Sequence, residues 1–232
     1  MLPHNSPAEA IIWDLDGTLV ESAPDLATAL NTLLNEQGQY GHPVDAVRPM
    51  IGGGVALLIE RGFKAAGAPL NDEERDALIP RFMDIYRDCC TQSTSLVPHA
   101  RESLLNFYNA GMLQGLCTNK PYEMTEQILN ALDIIGFFGS IIAGDSTAQK
   151  KPHPLPLLTC LEQLEVRPEH AIMIGDSGAD VGAARNAGVP VILVPDGYTG
   201  VPATSLGADY VVGSLEDLPA SIVPHGPWRQ SA

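Results

Sequence analysis

The apolar residues of this chain fall into two kinds of block. One is short and continuous, as in Ala10–Trp13, without polar–apolar alternation, the pattern of a strand covered on both faces. The other recurs every three or four residues. Leu26, Ala29, Leu30, Leu33 and Leu34 have that spacing, Pro24 suits a first helical turn and Gly38 a stop, which predicts a helix from Pro24 to Gly38 led in by Ser22 or Ala23. Further helical patterns cover 44–50, 55–66 and 72–89, so residues 21–97 read as all-helical. After Val97 and Pro98 the two kinds of block alternate. Strands are predicted at 113–117, 140–143, 171–174 and 191–194, and helices at 100–110, 122–132, 155–164 and 178–187, with Gly111 and Gly188 as stops. A short helical signal lies at 214–218, and nothing is assigned to the segment HGPWRQSA that ends the chain.

Strand alternating with helix predicts an α/β fold: a doubly wound, mostly parallel sheet with a Rossmann-like core and right-handed crossovers. The helical stretch interrupts that alternation directly after the first strand. The expected division is therefore a core of residues 1–20 and 98–232 with a helical cap, 21–97, inserted into it.

Composition narrows the function. With 232 residues, 45% of them hydrophobic, the chain can bury a sizeable core, and it has no apolar stretch of the roughly 18 residues that a membrane span needs. The first ten residues lack a basic region and an apolar run, so no secretory signal is expected. Cys89, Cys90, Cys117 and Cys160 form no C-x-x-C pair and are expected as free thiols in a reducing cytoplasm. The net charge of −15 speaks against nucleic acid or an anionic membrane as partner. An anionic substrate would be repelled at long range, so any anion site must be locally positive. The chain has only four lysines, and Lys120, Lys150 and Lys151 follow predicted strands.

Ligands of an open parallel sheet bind beyond the carboxyl ends of its strands. Asp14, Asp16, Gly17 and Thr18 follow the first strand, Thr118, Asn119 and Lys120 the second, Gly144 and Asp145 the third, and Gly175, Asp176, Ser177 and Asp180 the fourth. Carboxylates meeting at one low-dielectric edge need a cation to stay ionised, and an all-oxygen set without His or Cys implies a hard ion, Mg²⁺. Mg²⁺ commonly adds a phosphate oxygen. Thr118, Asn119, Lys151 and backbone N–H groups near Gly17 are donors suited to a phosphoryl group. One Asp of the 14/16 pair can attack phosphorus and the other can serve as general acid and base.

DLDGT, TN followed by K, KPHP and GDSGAD, in this order, resemble the haloacid-dehalogenase-like phosphohydrolase superfamily. Within it GTLVESAPDL, VRPMIGGG, TNKP and KKPHPLPLL resemble the bacterial phosphoglycolate phosphatases, over about residues 8–218. The resemblance implies Asp14 as nucleophile and Asp16 as acid/base. It implies Mg²⁺ held by Asp14, the backbone carbonyl of Asp16 and Asp176, with Asp180 supporting the metal's water shell, and Thr118 and Lys151 on the phosphoryl oxygens. It also implies a small phosphorylated metabolite as partner, 2-phosphoglycolate first, in a monomer or homodimer. A sugar-phosphate phosphatase or a phosphomutase of the same superfamily is the alternative. A receiver-like phospho-acceptor is a different class, but such modules lack a helical insertion after the first strand.

Glu21 stands where the family often has Asp, Trp13 where it often has an aromatic, and Asp196-Gly197-Tyr198 where relatives often read Y-G-Y. Several residues keep two readings: Asp145 as loop cap or metal neighbour, Lys120 as entrance residue or exposed, Lys150 as solvated or supporting. Gly52, Gly53 and Gly54 are either a packing turn or a helix N-terminus facing a substrate carboxylate. His153, between two prolines, reads as packing, and His99 as the start of a helix.

Overall fold

The computed structural model describes residues 8–195, 197–218 and 222. The N-terminal reading at 1–7, Asp196 and the end segment 225–232 lie outside the described residues. Six parallel strands form the sheet, in the order β5-β4-β1-β6-β7-β8: β1 Ala10–Trp13, β4 Leu113–Cys117, β5 Ser140–Ile142, β6 Ala171–Gly175, β7 Val191–Leu193 and β8 Tyr210–Val211. The order reverses around β1, which pairs with β4 on one side and β6 on the other. Helices α5 (Ala100–Asn109), α6 (Tyr122–Ala131), α7 (Leu155–Gln163) and α8 (Gly178–Ala187) connect the strands.

Alternate residues of β1 enter opposite cores. Ile11 and Trp13 join one apolar cluster and Ala10 and Ile12 the other, as a strand covered on both faces requires. Trp13 is fully buried, and its indole N–H donates to Gln114 Oε1 at 3.0 Å. Gln114 in turn donates to the Leu104 carbonyl. The largest side chain of the central strand thus leaves no buried donor unpaired. All four cysteines are buried free thiols, and burial pushes that of Cys160 up to about 11.

Residues between β1 and β4 carry α1 (Ala23–Glu36), the one-turn α2 (Val44–Val47), α3 (Val55–Ala65) and α4 (Asp72–Cys89). The all-helical reading of 21–97 needs a correction: β2 (Val20–Glu21) and β3 (Ser95–Leu96) pair antiparallel where the chain enters and leaves the helical stretch. Two-residue strands carry no period-2 pattern, so they left no trace in the sequence. The two-residue β8 went unpredicted for the same reason, and the 214–218 signal forms a 3-10 turn, Leu215–Asp217.

Asp25, buried on α1, closes this entry. Its carboxylate accepts the Ser93 N–H at 2.9 Å, the Thr94 N–H at 2.8 Å and the Thr94 hydroxyl at 2.8 Å. One side chain therefore satisfies three donors just ahead of β3. Replacing it with alanine strands them, at a cost of about 3 kcal/mol. Asp25→Ala is expected to lower the melting temperature by roughly 6–12 °C for a chain of this size, measured by thermal denaturation followed by circular dichroism. A drop below about 2 °C would mean that water replaces the carboxylate at no cost.

Candidate active site

Trp13, Leu116 and Ile174 are in register on β1, β4 and β6, so Asp14, one residue on, and Thr118 and Asp176, two residues on, reach one sheet edge. The Asp14 N–H bonds the Ile174 carbonyl, and the Thr118 N–H bonds that of Ile142. After Asp14 the chain makes one tight turn, in which the Leu15 carbonyl accepts from Thr18, Leu19 and Val20 N–H groups. Gly17 has φ +84° there, and a Cβ on it would run into Asp176 Oδ2. Only glycine lets the turn lie against that carboxylate.

Lys151 is buried between two acids, its Nζ 2.7 Å from Asp14 Oδ1 and 2.6 Å from Asp180 Oδ1. Its peptide is clamped by Asn119: the Lys151 N–H donates to Asn119 Oδ1, and Asn119 Nδ2 donates to the Lys151 carbonyl. Asp180 sits in the first turn of α8, where its Oδ2 accepts from the Ser177 hydroxyl at 2.7 Å and from the Ser177 and Asp176 N–H groups. This reciprocal cap explains the four-residue spacing, since a side chain in the first turn points back to the end of β6. Asp176 is held by the Tyr198 N–H on Oδ2 at 2.6 Å.

Carboxylate oxygens of Asp14, Asp176 and Asp180 lie within 4.8 Å of one another. Burial, and then Asp180, push the Asp14 carboxyl up to about 7 despite the counteracting Lys151. Burial, Asp180 and Asp14 push that of Asp176 well above the usual carboxylate range. Asp14 and Asp180 more than reverse the effect of burial on Lys151, whose ammonium is held charged. Three carboxylates against one ammonium leave two negative charges uncompensated, the deficit a divalent cation would fill. The donor set fits such an ion. Asp14 Oδ2, Asp176 Oδ1 and the Asp16 carbonyl accept no hydrogen bond from a described residue. Asp180 is different: both its oxygens are already taken, which suits it to orienting the others rather than binding directly.

Asp16 is held separately. Ser22 Oγ donates to its Oδ1 at 2.5 Å, and Lys120 Nζ lies 2.8 Å from Oδ1 and 3.1 Å from Oδ2. The Lys120 ammonium also stands 4.8 Å over the ring of Tyr86, which comes from α4. Lys120 is therefore buried, and of its two sequence readings the exposed one does not hold. Asp14, Asp16, Thr118, Lys120 and Tyr86 line one cavity with apolar walls from Leu26, Ile51, Val55 and Leu58.

The expected phosphoryl donors fare unequally. Thr118 is buried at the edge and lines the cavity, with its Oγ1 accepting from the Lys120 N–H. The Asn119 amide is spent on Lys151 and on the Gly52 carbonyl, so its side chain positions two loops. The Gly17 N–H is spent on the Val20 carbonyl, while those of Leu15 and Asp16 meet no described acceptor. Asp145 caps the start of α6 through the Tyr122 N–H, and His153 accepts from the Leu155 N–H. Sequence reasoning missed Ser22 and Tyr86. The lysine directly after T-N was a readable signal for Lys120, but no local pattern marks Tyr86 within an amphipathic helix.

This fold and its acidic edge are those of a family of hydrolases. The family model described as haloacid dehalogenase-like hydrolase matches residues 11–194. The phosphoglycolate phosphatase of Caulobacter vibrioides is 40% identical over 220 residues, covering 95% of this chain and 93% of the relative. That of Rhodospirillum rubrum is 39% identical over 214 residues, covering 90% and 89%. A crystal structure of a predicted phosphoglycolate phosphatase from Haemophilus somnus superposes with a TM-score of 0.84 at 29% identity, covering 90% of this chain and 96% of the other. The chain belongs to the haloacid dehalogenase-like hydrolase family, and within it the chain is a phosphatase.

The charge deficit makes a binding prediction that needs no turnover. A divalent cation at a hundredfold excess over its Kd stabilises the folded chain by about 2.7 kcal/mol, roughly 5–11 °C in melting temperature. The full chain is expected to show such a rise with MgCl₂ over NaCl of equal ionic strength, and Asp176→Asn is expected to abolish it. An equal rise in that variant would place the ion elsewhere.

Proposed function

We propose that the chain is a Mg²⁺-dependent phosphomonoester hydrolase that converts 2-phosphoglycolate to glycolate and phosphate through an aspartyl phosphate on Asp14. The observation that carries the chemistry is the split role of the Asp14 carboxylate. Oδ1 is tied to Lys151 while Oδ2 is left without a donor, beside a second carboxyl group two residues on. In the first step one carboxylate oxygen of Asp14 bonds to phosphorus and the bond to the ester oxygen breaks, its electron pair leaving with that oxygen. Asp16, oriented by Ser22 and Lys120, gives the departing oxygen its proton. In the second step Asp16 takes a proton from water as the water oxygen bonds to phosphorus, and the bond to Asp14 breaks. Lys151, the Thr118 hydroxyl and the free Leu15 and Asp16 N–H groups are placed to meet phosphoryl oxygens. Asp14, Asp176 and the Asp16 carbonyl would hold Mg²⁺, which when bound supplies positive charge to offset the carboxylates and the phosphoryl group.

The substrate comes from similarity rather than from the edge. Relatives 38–40% identical over nine-tenths of the chain are named phosphoglycolate phosphatases. The apolar walls of the cavity, Leu26, Ile51, Val55 and Leu58, suit a leaving group with few hydroxyls. We assign residues 1–20 and 98–232 to the catalytic core and 21–97 to a cap that excludes water during transfer. Among the described residues no helix is long and apolar enough to cross a membrane. A cytoplasmic enzyme, monomeric or homodimeric, completes the proposal.

Phosphate release by the full chain with Mg²⁺ from a panel of small esters, with Asp14→Asn beside it, tests both parts. The expected result is metal-dependent release that favours 2-phosphoglycolate and falls about 10³-fold or more in the variant. Equal turnover of sugar phosphates would keep the chemistry and discard the substrate. Full activity in Asp14→Asn would discard the mechanism.

A further inference from the structure

Two residues that line the cavity beside Asp16 carry polar groups not spent on the phosphoryl oxygens. The first is Lys120 Nζ, whose side chain is 2% exposed. An ammonium has three donors, and Asp16 engages it through its two oxygens. The second is Tyr86 Oη, which is buried and has no hydrogen-bond partner among the described residues. An unpaired buried hydroxyl is costly in a folded protein and calls for a ligand group or an ordered water. Both residues line the same cavity, with the ammonium over the tyrosine ring at 4.8 Å. The nearby wall is apolar, from Leu26, Ile51 and Leu58. A neutral, many-hydroxyl leaving group would find few partners there.

From this juxtaposition we infer that Lys120 Nζ and Tyr86 Oη together bind a carboxylate of the leaving alcohol. The preferred substrates are then phosphate esters of 2-hydroxy carboxylic acids. The reach follows from Lys120 touching Asp16 itself. If Asp16 faces the ester oxygen, a group held by Lys120 lies one ion-pair distance away, which a carboxylate on the adjacent carbon spans and a more distant one overshoots. Lys151, already shared by Asp14 and Asp180, is committed to the phosphoryl side. The inference rests on the phosphatase reading above and adds the residues that choose the substrate.

The test compares two esters of equal length, 2-phosphoglycolate and 2-hydroxyethyl phosphate, in which a carboxylate is replaced by a neutral alcohol. The readout is the preference, the ratio of kcat/KM for the acid over the neutral ester. Tyr86→Phe keeps the ring under Lys120 and removes only the hydroxyl; it is expected to lower the preference about tenfold, as losing a hydrogen bond to a charged group does. Lys120→Met is expected to lower it about a hundredfold or more. A role confined to positioning Asp16 would slow both esters alike. A preference unchanged within twofold in both variants therefore overturns the inference, and so does a wild-type chain that does not distinguish the two esters. In those cases metal-dependent release remains and the proposed chemistry stands. No release from any ester would instead sink the proposed function, and this inference with it.

Discussion

Lys151 is the constraint on which the site depends. Its ammonium is the counter-charge held between Asp14 and Asp180, and without it two acids would face each other in a buried space. Much of the neighbouring architecture keeps that one group in place. Asn119 grips its peptide on both sides from the end of β4, and Asp180 meets it from the first turn of α8. Because the lysine is a single charge among three carboxylates, the edge is electrostatically unfinished. Asp14 and Asp176 carry the strain as raised carboxyl pKa values, whose first cause is burial. A site built to be neutral by itself would have spent a second lysine here. The chain spends it on Asp16 instead, and leaves the deficit where a divalent ion and a phosphate can meet.

How much of this could be read from the sequence follows the range of the interactions. Asp14, Asp16, Thr118, Asp176 and Asp180 were legible because each lies directly beyond a strand whose apolar run is unmistakable, and a parallel sheet brings such ends together. The helices were legible from their periodicity, to within a residue or two at their ends, except at 44–50, where α2 stops at Val47 and a 3-10 turn, Arg48–Met50, follows. What failed was short or distant. The β2–β3 ribbon and β8 are too brief to show a period. Tyr86 shares its helix with residues of ordinary amphipathic spacing, and its part at the site exists only because α4 packs where Lys120 emerges. Asn119 was legible as a site residue, but its use in bridging Gly52 and Lys151 depends on loops 67 and 32 residues away. Position could be inferred from local pattern, whereas partners could not.

The two acids are not independent. Tyr198 joins them from a loop after β7. Its backbone N–H holds Asp176, while its hydroxyl accepts the Ser22 N–H at 2.7 Å and the Ala23 N–H at 3.0 Å and donates to Glu21 Oε1 at 2.8 Å. Ser22 is the residue whose side chain bonds Asp16. Glu21, where the family often has the shorter Asp, also reaches Arg48 at 2.5 Å in the helical segment. A chain of direct contacts thus runs from Asp176 through Tyr198 and Ser22 to Asp16, with a branch through Glu21 to Arg48. The hydroxyl of Tyr198 has each of its hydrogen-bonding positions filled, so rotating it out of place would strand three partners at once. This ties the orientation of Asp16 to the same residue that orients Asp176. It also sets the start of α1, and with it the approach of the helical segment, by the geometry of the catalytic edge. The entry to that segment is therefore part of the site: a shift of the β2–α1 junction would move Asp16 and Asp176 together, because both are tied to Tyr198, Asp16 through Ser22.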